Sequence, residues 1–148
     1  MTVAPAATLA ERLPDALRAV AAGATDRDRD DAGAFPEDAI AALEAAGALA
    51  ATAMPAPLPY AGELELLRTV ARADAGVARI LDGHLNAVER LRVQAPPGVR
   101  DDELAAIAAG RVRAGVWGAD PVAGEGESAR LRDGAVRGVK TFCSGAVA

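Results

Sequence analysis

The chain's 148 residues suffice for one hydrophobic core, since a chain of this size buries roughly two thirds of the surface its unfolded form exposes. Its 16 basic and 21 acidic residues leave a net charge of −5 with the basic side chains dispersed, which excludes the cationic footprint of a nucleic-acid binder. Hydrophobic residues make up 51% but aromatics only 3%, so the expected core is helices packed through small side chains; no run approaches the roughly eighteen uncharged apolar residues that a membrane-spanning helix needs.

Helical periodicity dominates up to Gly110. Thr8 and Glu11 form a capping box ahead of Leu9, Leu13, Leu17 and Val20, a stripe at helical spacing in which Pro14 predicts a kink or a restart and Gly23 the end. The run from Asp26 to Asp31 alternates acid and base without an apolar residue and reads as a solvated linker. Pro36, with Glu37 and Asp38 behind it, opens a second helix that Gly47 stops. The prolines from Met54 to Tyr60 predict a structured loop, because each removes a donor and restricts its predecessor. Helical spacing resumes over Glu63 to Ala73, with Leu64, Leu67 and Val70 on one face, and over Val77 to Leu91, with Val77, Leu81, Leu85 and Val88 on another. Pro96-Pro97-Gly98 breaks the run, and Asp101 or Asp102 is placed to cap a last helix carrying Leu104 and Ile107.

Beyond Gly110 the period falls from 3.6 to 2: Val112, Ala114 and Val116 alternate with Arg111, Arg113 and Gly115, predicting a strand. Asp133-Gly134 between Ala129–Arg132 and Ala135–Arg137 is the strongest local hairpin signal, since both positions of a type I′ turn need positive φ. Its second strand is expected to run from Val136 to Ser144, with Phe142 and Ser144 on one face. An aromatic plate beside a hydroxyl suits a planar heteroaromatic ligand. The expected fold class is therefore α+β: an all-α helical domain over residues 1–110, then the opening strands of an antiparallel β-domain over 111–148.

The segment Lys140-Thr141-Phe142-Cys143-Ser144-Gly145-Ala146 resembles the flavin-contacting strand of the acyl-CoA dehydrogenase family, which runs Lys, any residue, Trp or Phe, Ile, Thr or Ser, Asn, then Gly or Ala. Cys143 takes the Ile place and Gly145 the Asn place. About twenty residues upstream, Ala119-Asp120-Pro121-Val122-Ala123-Gly124-Glu125 occupies the place of the family's Thr-Glu-Pro-Gly-Ala-Gly-Ser. There Asp120, Pro121, Ala123 and Gly124 are compatible, Ala119 lacks the hydroxyl, and Glu125 puts a charge where Ser would approach a pyrophosphate. Phe35-Pro36-Glu37 with the following helix, Pro59-Tyr60-Ala61-Gly62 and Arg72–Ala78 resemble earlier family segments in the same order.

The resemblance implies FAD as cofactor, with Phe142 packing on the isoalloxazine, Ser144 bonding near the flavin N5, and Asp120 and Gly124 in the cofactor-binding loop. Trp117 is either core or part of the flavin wall. The implied activity is α,β-dehydrogenation of an acyl-CoA thioester. In the family the catalytic base and a helical C-terminal domain follow the β-domain, so these residues are expected to be an inactive N-terminal portion, homo-oligomeric in full-length form and without a catalytic residue of their own. Two alternatives stay open: a reduced-flavin-dependent monooxygenase of the same fold, and a non-enzymatic partial domain that packs on a partner subunit.

Other chemistries are poorly supplied. His84 is the only histidine and falls in a helix without a nucleophile elbow, so a packed or half-exposed helix histidine is the simpler reading. His84, Cys143 and Asp82 show no metal-ligand spacing. A single cysteine forms no internal disulfide, and Met1 is followed by no leader-like segment, which together point to the reducing cytoplasm.

Overall fold

The structure is a computed structural model that describes residues 8–30 and 35–143. It has an α+β fold, helices first: α1 Leu9–Asp30, α2 Glu37–Ala46, α3 Tyr60–Ala73, α4 Ala75–Gln94, α5 Pro97–Ala108, then short strands β1 Trp117–Ala119, β2 Arg130–Arg132, β3 Ala135–Arg137 and β4 Thr141–Cys143. Among the described residues, no helix is long and apolar enough to cross a membrane.

Helix α1 starts with the Glu11 half of the capping box: the Thr8 amide donates to Glu11 Oε2 at 2.6 Å, and the Thr8 hydroxyl donates to the same oxygen at 2.9 Å. Those bonds, the backbone one foremost, hold the Glu11 carboxyl below its ordinary range. Neither Pro14 nor Gly23 ends the helix. A glycine terminates a helix only by taking left-handed dihedrals, which Gly23 does not, and one kept inside a helix costs only about 1 kcal/mol relative to alanine. So α1 continues to Asp30, through residues expected to be linker. Gly47 does take the left-handed conformation, φ 88°, after α2. Its amide donates to Glu44 O at 2.8 Å and that of Ala48 to Leu43 O at 2.9 Å, the paired bonds of a Schellman stop.

Three further boundaries differ from expectation. Tyr60-Ala61-Gly62 form the first turn of α3 rather than a loop, since the Pro59 carbonyl accepts from both Gly62 and Glu63 amides. Helix α5 begins at Pro97, not at Asp101 or Asp102, because a proline in the first turn gives up only an amide that has no partner there. Asp74 caps α4 with its side chain, accepting from the Val77 amide at 3.0 Å.

The main core joins α1 to α4 through Val20, Ile40, Leu43, Leu66, Val70, Val77, Leu81 and Leu85, with Leu9, Leu13 and Leu17 packed at its margin. The expected stripe on α4 is buried throughout; on α3 the buried leucine is Leu66, while Leu64 stays half-exposed. A smaller cluster of Ala53, Val88 and Ile107 joins α4 to α5, with Ala114 packed against it.

The expected strand over Val112–Val116 is corrected by the structure. Among the described residues this stretch pairs with no strand; it crosses the helices as a strap, with Arg113 meeting Glu37 and Glu44 and Ala114 meeting His84, and the first strand is Trp117–Ala119. Its period of two is visible as burial only over 113–116, with Ala114 and Val116 half-covered and Arg113 and Gly115 exposed, while Val112 is exposed like Arg111; docking on a helical surface selects the same alternation as a sheet face where contact is made. The hairpin is as expected: β2 pairs antiparallel with β3, Arg132 opposite Ala135, with Asp133 at φ 52° and Gly134 at φ 74°. The second arm is not one strand, however. Gly138, at φ 121°, bends the chain so that β3 ends there and β4 pairs elsewhere, with β1.

Candidate flavin-facing ribbon

β1 and β4 run antiparallel with Trp117 opposite Cys143 and Ala119 opposite Thr141. Two segments 22 residues apart thus form one ribbon, tightened by the Thr141 hydroxyl donating to Ala119 O at 3.4 Å. At its end Lys140 Nζ donates to Asp120 Oδ1 at 2.5 Å. The Lys140 bond, helped by Ser128 and Arg130, holds the Asp120 carboxyl below the usual carboxylate range. A depressed pKa means that the pair contributes above the carboxyl's unfolded value and is lost as pH falls through the folded one. Lys140→Gln is therefore expected to raise the Asp120 titration midpoint toward an ordinary aspartate, read by NMR of its carboxyl carbon; an unmoved midpoint would show that Lys140 is not the cause.

The register divides the expected site residues between two faces. Trp117, Ala119, Thr141 and Cys143 share one; position 142 lies opposite Gly118 on the other, where β1 contributes no side chain. The Phe142 side chain and all of Ser144 lie outside the described residues. Trp117, 59% exposed, lines an open cleft of about 740 Å³ formed by Arg90, Leu91 and Gln94 of α4 and by the strap from Ala114 to Gly118. It is thus neither core nor on the face of position 142. Gly124, at φ 95°, has open space around it, in an exposed turn closed by the Glu125 amide donating to Val122 O at 3.0 Å.

Two residues near this ribbon acquire importance only in three dimensions. Arg113 on the strap donates to Glu37 Oε1 and Glu44 Oε2, both at 2.7 Å, and these carboxylates, Glu44 first, raise its pKa. His84, 3% exposed in α4, receives the Ala114 amide on Nδ1 at 3.1 Å and meets Leu49 O through Nε2 at 2.9 Å. Its place in a helix was legible; its full burial and its partners were not, the partners because they lie 30 and 35 residues away. Among the described residues, no group of three or more His, Cys, Asp or Glu could hold a metal ion. No known protein family, curated protein or solved structure matches the chain.

Proposed function

We propose that this chain carries one wall of an FAD site in an oxidoreductase resembling the acyl-CoA dehydrogenases. The observation that supports this most is the β1–β4 register, because the start of one family-like segment, Ala119 and Asp120, lies beside Thr141 and Lys140 of the other, although a turn and a hairpin separate them in sequence. The ring end of the cofactor fits in that Gly118, opposite position 142, adds no side chain to that face, and the strand edge offers backbone donors and acceptors. The diphosphate end fits less well, since Ala119 has no hydroxyl and Glu125 adds an exposed negative charge.

When bound, FAD would accept a hydride from the β-carbon of an acyl thioester whose α-proton goes to a carboxylate base. This chain's residues would hold the ring: Phe142 by stacking, Ser144 by one hydrogen bond, and the Lys140–Asp120 pair by locking the ribbon's end.

Titration of FAD into the purified chain, followed by quenching of flavin fluorescence, tests the reading. Weak saturable binding is expected, reduced about two- to tenfold by Phe142→Ala, the equivalent of an aromatic contact of about 0.5–1.5 kcal/mol. Trp117→Ala is expected to leave binding nearly unchanged, because Trp117 lies on the other face. Binding unaffected by both Phe142→Ala and Ser144→Ala would remove β4 from the site.

A further inference from the structure

We propose that His84 is a positioning residue, a latch in α4 that sets where the strap delivers Trp117 and β1; this rests on the flavin reading for its functional meaning, but not for its geometry. An amide nitrogen can only donate, so the Ala114 N–H makes Nδ1 a bare acceptor and leaves the ring proton on Nε2, which donates to Leu49 O. Both nitrogens of a buried ring are thereby used, one toward the turn after α2 and one toward the strap.

Packing does not set the strap's height. Ala114 rests only its methyl on the Val88–Ile107 cluster, and beside it lies a pocket of about 170 Å³ between Ile80, Leu81 and His84 on α4 and Gly115 and Trp117 beyond. Among the described residues, no strand pairs with Val112 to Val116, and two side-chain anchors hold them. Arg113 joins Glu37, 62% exposed, and Glu44, 27% exposed; the first pair contributes little, while the second is partly shielded and shares in holding the strap. The His84–Ala114 bond is shielded on its histidine side, and β1 begins three residues beyond it, so a shift at Ala114 is carried directly to Trp117.

Amide exchange in two isosteric variants tests the latch. His84→Asn keeps an acceptor near the Nδ1 position and loses the Leu49 bond; His84→Gln keeps a donor near Nε2 and loses the Ala114 bond. Ala114 exchange is expected to quicken about five- to tenfold in His84→Gln and to stay within about twofold of wild type in His84→Asn, even where both lose global stability. Equal acceleration in the two variants, or in neither, would overturn the proposal by reducing His84 to a packing residue. If the variants fail to fold, ¹⁵N spectra of the wild-type imidazole decide it: an Nε2-protonated ring is expected, and an Nδ1-protonated ring overturns the latch. FAD titration of the same wild-type chain separates the two ideas, since absent binding would remove the flavin reading while the exchange pattern stands.

Discussion

Leu81→Ala is expected to destabilise the chain by about 3–5 kcal/mol, the upper part of the range for a buried leucine. Leu81 is 1% exposed in the core shared by α1 to α4 and also lines the pocket of about 170 Å³ under the strap. Truncating it would add its volume to an existing void, and the cost of a buried leucine truncation rises with the cavity left behind. A small domain has roughly 5–15 kcal/mol in total, so the variant should lose about a fifth or more of its stability. Urea unfolding would show this as a lower midpoint at unchanged slope. A loss below about 1.5 kcal/mol would mean that the helices repack freely and that the void beside His84 is not a stable feature.

The second large effect is expected at Gly138, and it is local. Gly138 lies at φ 121°, which side chains rarely adopt, and a Cβ there would stand 2.6 Å from Ala129 Cα and 2.7 Å from Ser128 O, both backbone atoms that cannot swing aside. Strain and overlap together should cost roughly 3 kcal/mol or more in Gly138→Ala. The change would disrupt the bonds by which Val139 receives from the Ala129 amide at 3.1 Å and donates to Glu127 O at 2.8 Å, and with them the placement of β4 against β1. Gly134→Ala is the control: its φ of 74° is left-handed but nothing lies within 4 Å of the added carbon, so about 1–2 kcal/mol is expected. Amide exchange at Ala129, Val139 and Thr141 should rise sharply in Gly138→Ala and little in Gly134→Ala. Similar exchange in both would show that the bend at Gly138 does not position the ribbon.

The local and periodic features were legible in the residues themselves. The stripe Val77, Leu81, Leu85, Val88 is written at helical spacing and is buried along its length, because a helix hides whichever face is apolar, whatever covers it. The Thr8–Glu11 box, the Gly47 stop and the Asp133-Gly134 turn are set by bonds or dihedrals among near neighbours, so the sequence order of helices and then strands could be read directly.

What the residues alone did not decide was who pairs with whom. Alternation over Val112–Val116 looks the same whether the partner is a strand or the flank of α4, and only the tertiary structure chose the flank, through His84 and Arg113. Position 142 carries an aromatic in a strand-like run, yet its face relative to Trp117 depends on a register of one residue, fixed by the Trp117–Cys143 pairing that Gly138 makes possible. Side-chain alternation has a period of two, so a single-residue shift exchanges the faces, and that choice belongs to long-range contacts.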